Sequence, residues 1–314
     1  MNITVIGPGR WGSFIAWYLS KLNHNVTMYG RKNSKSLEDL KNTNYFENKV
    51  KISCDMNDVL NSDITVISVN SQGFRSLLIE LKNAGLKNNK MVLCMKGIEV
   101  ETGKRLTEIA DEILGKDYPV AVWLGPGHVE EFKSGVPNCM VIDSNNQELK
   151  ETLISEFSSE LIRFYLGDDL IGNEIGAAAK NVIGIAAGML DGLRLSTLKG
   201  ALMSRGTREI ARLIKSVGGK EISAYGLCHL GDYEATVFSK FSHNRAFGEK
   251  LVKNEAYDKL AEGYFTVVAL IDLAKENNVE LPICQSVYAV LYEGKNVKEA
   301  ISELFSRSLK EEFY

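Results

Sequence analysis

The sequence predicts an α/β fold, with a doubly wound, mainly parallel sheet in residues 1–169 followed by an all-helical C-terminal domain in residues 170–314. Two observations carry this prediction. In the first part, short apolar and β-branched runs alternate with amphipathic helical stretches, whereas after about Asp169 the strand signals stop and long helical patterns follow. Since no Pro/Ser-rich linker separates the two parts, we expect them to pack tightly.

The predicted strands are runs of mostly apolar residues at 3–6, 25–29, 64–69, 91–95, 120–124, 139–142 and 162–165. Between the first two, Phe14, Ile15, Tyr18 and Leu22 recur at helical spacing. Strand, helix and strand joined by short connections form a βαβ unit, so the strands should be parallel. In the second part, helical patterns cover residues 174–193, 198–217 and 263–277.

The composition is that of a globular protein, with 45% hydrophobic and 25% charged residues. The 37 Lys and Arg residues nearly balance the 40 Asp and Glu residues, so we expect no nucleic-acid or membrane-surface partner. Five cysteines lie far apart without a C-x-x-C pair, and four histidines lack metal-ligand spacing, which argues against disulfides and a metal site. With no signal-peptide pattern and no membrane-spanning apolar stretch, the expected location is the cytoplasm.

A glycine pattern follows the first predicted strand. Gly7, Gly9 and Gly12 fit G-x-G-x-x-G, and the pattern opens a helix, which is the context in which it binds dinucleotides. In such a loop the first glycine permits the tight turn, the second lets the backbone approach the pyrophosphate, and the third lets helix and strand pack closely. The alternative is an ordinary βα turn that needs its glycines for backbone reasons alone.

The end of the second predicted strand bears on the choice of cofactor. An acidic residue there would bind the ribose 2′-hydroxyl of NAD, but in this chain Arg31 and Lys32 follow Tyr29 and a glycine. Two cations suit a 2′-phosphate, so the sequence favours NADP over NAD, with dual use as a further option. The alternative is a solvated loop in which the two cations are incidental.

Lys180 lies on a ridge of glycines in the first long helix of the second part. The glycines that share this face at i, i+4 spacing are Gly172, Gly176, Gly184, Gly188 and Gly192. Each helical glycine costs about 1 kcal/mol relative to alanine, so the ridge makes sense if something approaches the backbone closely. A lysine partly desolvated there would have a lowered pKa suited to proton transfer, with Asn181 beside it to orient a substrate. The alternative is helix–helix packing, with Lys180 reaching solvent.

Two more polar turns follow predicted strands. Lys96 closes one strand, and the Gly-Pro-Gly-His turn at residues 125–128 closes another. Both lie where open α/β sheets bind their ligands, at the carboxyl ends of strands. No G-x-S-x-G segment is present, so a serine nucleophile is not expected.

In combination, these segments resemble the NAD(P)-dependent glycerol-3-phosphate dehydrogenase family. The matching segments, in family order along nearly the whole chain, are 7–12, 95–99, 125–126, 174–188, 230–232, 242–248, 261–263 and 290–294. The resemblance implies a Rossmann-like dinucleotide-binding domain, a helical substrate-binding domain and an active site between them. It also implies interconversion of dihydroxyacetone phosphate and sn-glycerol 3-phosphate, a reaction of glycerophospholipid synthesis.

The resemblance further implies roles for individual residues. Lys180 would be the proton donor and acceptor, Lys96 would contact the substrate, and Asp232 would hold the polar network around Lys180. The other substrate-binding residues would be Gly125, Gly127, Asn181, Thr236, Ser242, His243, Asn244 and Arg245. The cofactor, NADP or NAD, would contact Gly7, Gly9, Arg10, Trp11, Gly12, Arg31, Lys96, Val129, His243, Leu260 and Glu262. By analogy with such helical domains, a homodimer is an option.

Two positions depart from the family pattern, both on the substrate side. His243 stands where the family usually has an arginine, and a histidine cannot bind phosphate bidentately. Arg245 is a candidate to compensate. Gly127 stands where the family commonly has a hydroxyl or amide side chain, so that contact is missing or is made by the backbone. Besides the family's reaction, two functions therefore stay open: a dehydrogenase for another ketone, and a nucleotide sensor, which would not need Lys180.

Overall fold

A computed structural model describes residues 1–87, 89–309 and 311–312 of the protein. Within these residues, the first part of the chain contains eight strands. They are β1 (Asn2–Ile6), β2 (Asn25–Tyr29), β3 (Val50–Ser53), β4 (Ile64–Ile67), β5 (Lys90–Leu93), β6 (Val120–Leu124), β7 (Asn138–Asp143) and β8 (Ile162–Leu166). The central strands are almost wholly buried and rich in Val and Ile, as expected for a sheet covered on both faces.

The described strands form one sheet in the order β3-β2-β1-β4-β5-β6-β7-β8. Neighbours from β3 to β6 pair parallel, whereas β7 pairs antiparallel with β6 and parallel with β8. The strand order reverses direction between β1 and β4, which is the switch point where open sheets bind ligands beyond their carboxyl ends. The predicted fold class is confirmed.

One strand, β3, was missed by the sequence analysis. It has four residues, lies at the edge of the sheet and carries an exposed lysine, Lys51. A short edge strand with a charged residue has little of the apolar pattern by which strands are recognised. Adding β3 widens the sheet without changing its topology class.

The described chain also contains thirteen α-helices. Those of the first part are α1 (Arg10–Lys21), α2 (Lys35–Asn42), α3 (Met56–Leu60), α4 (Phe74–Asn83), α5 (Leu106–Leu114), α6 (Val129–Lys133) and α7 (Gln147–Phe157). The later ones are α8 (Leu170–Gly192), α9 (Lys199–Ser216), α10 (His243–Val252), α11 (Glu262–Glu276), α12 (Pro282–Tyr292) and α13 (Val297–Ser306). Of the helices in residues 1–87, 89–309 and 311–312, none is long and apolar enough to span a bilayer.

The C-terminal part of the glycine ridge of α8, from Gly184 to Gly192, is the surface on which α10 packs. A Cβ atom on Gly188 would lie 1.9 Å from the carbonyl oxygen of Arg245, and one on Gly248 of α10 would lie 2.1 Å from that of Ile185. The glycines therefore bring two helix backbones into contact. Lys180 lies on the same face of α8, and its side chain is only 11% exposed, so it does not extend into solvent. The ridge thus packs a helix while its lysine is buried. The division into two domains after residue 169 stays a prediction.

Candidate active site

The loop between β1 and α1 is shaped by two glycines that cannot carry a side chain. Gly7 has a φ of +109°, and a Cβ atom on it would lie 2.2 Å from the carbonyl oxygen of Ser68. A Cβ atom on Gly12 would lie 2.1 Å from the carbonyl oxygen of Gly7. These contacts match the turn and packing roles that the sequence predicts for the two glycines.

The same loop leaves room for a dinucleotide. A Cβ atom on Gly9 would meet no described atom within 4 Å, and no side chain in the described part of the chain caps the start of α1. The open space and the uncapped N–H groups of the first helical turn fit a pyrophosphate. Of the neighbouring residues predicted to contact the cofactor, Arg10 pairs with Glu130 and Trp11 packs on Phe14.

Arg31 lies just past the end of β2 with its side chain 80% exposed. Its guanidinium is 3.9 Å from the carboxylate of Glu80, an exposed ion pair that contributes little and can open. Lys32 follows and is also exposed. The two cations are therefore available to a cofactor phosphate, and their preference for NADP stays a prediction.

Two lysines and one aspartate meet at the carboxyl edge of the sheet. Lys96 follows β5, and its Nζ atom lies 2.6 Å from Asp232 Oδ2 and donates to the carbonyl oxygen of Gly125 at 2.7 Å. Lys180 comes from the middle of α8, and its Nζ atom lies 3.0 Å from the same Oδ2 atom and donates to Thr236 Oγ1 at 2.8 Å. The structure thus brings together five residues that the sequence predicts for one site.

The charges of this cluster are strongly coupled. Burial lowers the pKa of Lys180 to about 8, and the Lys96 ammonium acts in the same direction while Asp232 opposes both. Asp232 is 1% exposed, and its Oδ1 atom has no hydrogen-bond partner among the described residues. Burial also raises the pKa of Glu262, at the start of α11, to about 7, although both lysines oppose that shift. The arrangement holds one amine that can gain or lose a proton near neutral pH.

Asn181 and Asn244 connect the elements around the cluster. Asn181 Nδ2 donates to the carbonyl oxygen of Lys96 at 3.0 Å, and its Oδ1 atom accepts from Asn244 Nδ2 at 3.0 Å. Asn244 Oδ1 in turn accepts from the backbone N–H of Gly263 at 2.9 Å. This chain of amides fixes α8 against the β5 loop, α10 and α11. Both asparagines, predicted as substrate ligands, are in this structure hydrogen-bonded to the protein itself.

The predicted phosphate-binding segment opens α10. Ser242 Oγ accepts from the backbone N–H of Arg245 at 3.3 Å and caps the helix. His243 Nδ1 lies 3.0 Å from the hydroxyl of Tyr257, and burial lowers its pKa, with help from nearby cations. Arg245 Nε instead donates to Asp191 Oδ2 at 2.6 Å. That carboxylate disfavours Arg245 as the residue that compensates for the missing arginine.

Asp191 is the residue here that the sequence analysis missed. Its Oδ2 atom accepts from both Arg245 Nε and Lys199 Nζ at 2.6 Å, which holds the start of α10 against α8 and α9. Asp191 and Lys199 fit no motif, and Asp191 is 54 positions from Arg245, so no sequence signal indicated that this carboxylate binds Arg245. The last two predicted cofactor contacts lie at helix starts: Val129 is buried in α6, and Leu260 is exposed before α11.

The topology and the site together define a class of protein. A doubly wound sheet has a glycine loop that accepts a pyrophosphate at its first turn, and a buried lysine from the helical part lies at the carboxyl edge. This combination is that of a nicotinamide-dependent dehydrogenase.

Sequence comparison identifies the family. The family model for the N-terminus of NAD-dependent glycerol-3-phosphate dehydrogenase matches residues 2–150, and the model for its C-terminus matches residues 169–302. The chain belongs to this family, so the predicted resemblance and the NAD(P) cofactor are confirmed. It is an NAD(P)-dependent oxidoreductase.

Individual relatives agree over the full length. The chain is 37% identical to a glycerol-3-phosphate dehydrogenase (NAD(P)+) of Thermotoga sp. over 330 residues, which cover 100% of this chain and 99% of the relative. It is also 37% identical to the protein of that name from Fusobacterium nucleatum, covering 99% and 98%. A crystal structure of glycerol-3-phosphate dehydrogenase from Coxiella burnetii superposes with a TM-score of 0.90 at 28% identity, covering 97% and 98%.

Proposed function

We propose that the chain interconverts dihydroxyacetone phosphate and sn-glycerol 3-phosphate with NAD(P)H, and that Lys180 donates and accepts the proton. The observation that carries this proposal is the buried Lys180 amine, which shares the Asp232 carboxylate with Lys96. Membership of the family supports the reaction, because the relatives described above are named for it. A protein that only senses a nucleotide would not need a buried amine of lowered pKa at this edge of the sheet.

The chain's own residues supply the acid–base part of the reaction. When bound, the nicotinamide cofactor supplies the hydride for the ketone and takes it back from the alcohol. As the carbonyl oxygen gains negative charge, the Lys180 ammonium stabilises it and donates its proton, and the neutral amine takes the proton back in the other direction. A pKa of about 8 makes both protonation states accessible near neutral pH.

The other members of the cluster orient this amine. Asp232 Oδ2 accepts from Lys96 and Lys180, which places the two positive charges side by side. Thr236 Oγ1 accepts a further hydrogen bond from Lys180 and fixes the direction of its amine. Asp232 Oδ1, buried and without a partner in the described part of the chain, can accept from a substrate hydroxyl.

We assign the phosphate of the substrate to the start of α10. The helix has ten residues, and its first N–H groups favour an anion. Ser242 and His243 lie at this end, while Arg245 is bonded to a carboxylate. The phosphate would therefore be held by fewer permanent charges than the family pattern provides.

The small number of permanent charges at the proposed phosphate site also favours a second candidate function. Histidine in place of arginine at position 243 and glycine at position 127 both change the substrate side, whereas the Lys180 cluster matches the family pattern. A ketone that lacks the phosphate, or carries its charge elsewhere, would suit such a site. The reaction type would be unchanged.

Loss of NAD(P)H absorbance with a set of ketones decides between the two functions. Dihydroxyacetone phosphate is compared with hydroxyacetone, which has the same carbonyl without the phosphate. We expect a kcat/KM at least about 100-fold higher for the phosphorylated ketone, because remote binding of a dianion aligns the carbonyl. Turnover of another ketone, with none of dihydroxyacetone phosphate, would replace the first function by the second. If the protein reduces no ketone, the remaining candidate function is that of a nucleotide sensor.

The cellular setting follows from the same proposal. Glycerol 3-phosphate is the backbone of glycerophospholipids, so the enzyme would act at the start of their synthesis. All five cysteines lie among the described residues and are free thiols, which supports the reducing cytoplasm. The homodimer expected by analogy stays a prediction, which light scattering on the purified protein would test.

A further inference from the structure

His128 is a half-buried polar residue at the site that the proposed mechanism does not use. It lies in the loop after β6 and immediately precedes α6. Its Nε2 atom is buried and has no hydrogen-bond partner among the residues that the structure describes. A buried polar atom left unpaired costs on the order of 1–3 kcal/mol, so such an atom at a binding cleft is often completed by the ligand.

The surroundings of His128 place its ring between the two ends of the proposed substrate site. Three residues earlier, the carbonyl oxygen of Gly125 accepts from Lys96 Nζ. On the other side, the ring packs edge-on against Phe241, with centroids 5.6 Å apart, and Phe241 directly precedes Ser242. The loop that carries His128 therefore touches both the lysine cluster and the segment assigned to the phosphate.

Gly127, which directly precedes His128, occupies a position where a side chain cannot be accommodated. Its φ of +142° is rarely adopted by residues with side chains, and a Cβ atom would lie 2.2 Å from a ring carbon of Phe132. Phe132 cannot retreat easily, because it is 1% exposed and stacks on Phe14 with centroids 5.0 Å apart. No hydroxyl side chain fits at position 127 in this structure.

We infer that His128 binds the substrate through Nε2, which makes the hydrogen bond that a side chain at position 127 cannot make. The inference rests on the proposed function and names a further ligand for its substrate, a small hydroxylated phosphate ester. A neutral imidazole carries one donor and one acceptor nitrogen, so its Nε2 atom can bond a hydroxyl as either donor or acceptor.

The charges around His128 are consistent with a neutral ring. Burial lowers its pKa, and the cations Lys180 and Arg10 lower it further, whereas the carboxylates Glu131 and Asp232 raise it. His128 therefore contributes a directed hydrogen bond at neutral pH rather than a charge. It is a binding residue, and the proton of the reaction stays with Lys180.

Substitution of His128 by phenylalanine and by glutamine tests this inference. Phenylalanine keeps the ring that packs on Phe241 but removes both nitrogens, and glutamine restores a polar group at the position of Nε2. For the ketone that the wild-type enzyme reduces best, we expect H128F to raise KM about tenfold or more with kcat within about threefold, and H128Q to recover most of the loss. The melting temperature and the dissociation constant for NADPH should not change.

His24 offers a matched control. It is a buried histidine at the opposite end of the strands, just before β2, and its Nε2 atom lies 3.0 Å from the carbonyl oxygen of Glu156. H24F should lower the melting temperature and leave KM for the ketone unchanged. An unchanged KM in H128F, or a raised KM that H128Q does not recover, would overturn the inference.

The choice of substrate separates this inference from the proposed function. If the wild-type enzyme reduces another ketone and not dihydroxyacetone phosphate, the proposed function fails, and a raised KM for that ketone in H128F still supports His128. If no ketone is reduced, calorimetric binding of sn-glycerol 3-phosphate to the NADH-loaded protein replaces KM. Equal affinity in the wild type and H128F, or no binding to the wild type, overturns the inference.

Discussion

The proposed cofactor side and the proposed substrate side of the site are built by different means. On the cofactor side, one short loop between β1 and α1 forms the site with its backbone, and a methyl group on Gly7 or Gly12 would overlap a carbonyl oxygen. On the substrate side, side chains from the β5 loop, α8 and residues 230–238 meet around Asp232, and α10 adds Asn244. A loop tolerates no change at those glycines, whereas a site built from side chains can change one member and keep the others. Both departures from the family pattern fall on the second side.

Replacing Lys180 should have the largest effect on activity, and it should impair turnover without impairing cofactor binding. Lys180→Ala removes the proposed proton donor, and general acid–base catalysis contributes about 10²- to 10⁴-fold, so kcat should fall by at least that range. Because Lys180 lies outside the glycine loop, the dissociation constant for NADPH should stay within about threefold. Stopped-flow turnover and fluorescence titration of the cofactor measure the two quantities. Equal losses in both would assign a structural role to Lys180, and K180M, which keeps the length of the side chain, controls for a cavity.

Alanine at two positions of the glycine loop should separate packing from cofactor binding. Gly12→Ala places a methyl group against the carbonyl oxygen of Gly7, so it should cost about 1–3 kcal/mol or more and lower the melting temperature as well as cofactor affinity. Gly9→Ala faces open space, so the melting temperature should stay the same while NADPH binds at least about tenfold more weakly. Thermal unfolding with and without NADPH measures both effects. Unaltered NADPH affinity in G9A would indicate that the loop is an ordinary βα turn that does not bind the cofactor.

The same contrast decides what the sequence alone could predict. The loop at residues 7–12 is contiguous, and its glycines are required by local backbone contacts, so its position and role could be read from the spacing. Lys180 was recognised as unusual because it interrupts a glycine ridge, but the partners that surround it, Asp232 and Thr236, lie in residues 230–238, which the spacing does not describe. For that reason, helical periodicity could not distinguish a Lys180 side chain that reaches solvent from one that is desolvated in a groove.

Long-range pairing could not be predicted from the chain. Arg245 lies in a recognisable segment, but its partner Asp191 is 54 positions away and carries no local pattern, so their pairing could not be foreseen. Strand β3 was missed for the opposite reason, since it is local but too short and too polar to stand out. The roles proposed for Lys96, Asp232 and Thr236 came from the resemblance to the family. The structure adds the contacts that join Lys96 to Asp232 and Thr236 to Lys180.

The pH dependence of the two reaction directions should sharpen the role of Lys180. Its pKa is lowered to about 8. In the proposed mechanism, ketone reduction needs the protonated form of Lys180, whereas alcohol oxidation needs its neutral amine. The kcat/KM for reduction should therefore fall up to about tenfold per pH unit above pH 8, and that for oxidation should rise with pH up to the same point. The phosphate of the substrate titrates near pH 6, well below this window. Profiles that run in the same sense for both directions would contradict the assignment.

Restoring the family's arginine should strengthen the substrate side. Burial and nearby cations lower the pKa of His243, so at neutral pH its ring is mostly uncharged, whereas a guanidinium is always charged and can bind phosphate bidentately. His243→Arg should lower KM for dihydroxyacetone phosphate by about three- to tenfold. KM for hydroxyacetone, which has no phosphate, serves as the control and should not change. An unchanged or raised KM for the phosphate ester would mean that position 243 does not face the phosphate.

The smallest effect is expected from Arg31, because it lies in an exposed loop and would contribute a single charge near the 2′-phosphate of NADP. Its guanidinium is 80% exposed and weakly paired with Glu80, so its removal should leave the fold and NADH use unchanged. Arg31→Ala should lower the ratio of kcat/KM for NADPH over NADH by about threefold, since one charge facing the 2′-phosphate is lost. Arg31→Glu should lower it further, because a carboxylate repels that phosphate and can bind the ribose hydroxyls of NADH. Lys32→Ala, at the neighbouring exposed position, shows whether the second cation shares the role. A ratio that none of the three variants alters would mean that this turn is a solvated loop whose two cations do not contact the cofactor.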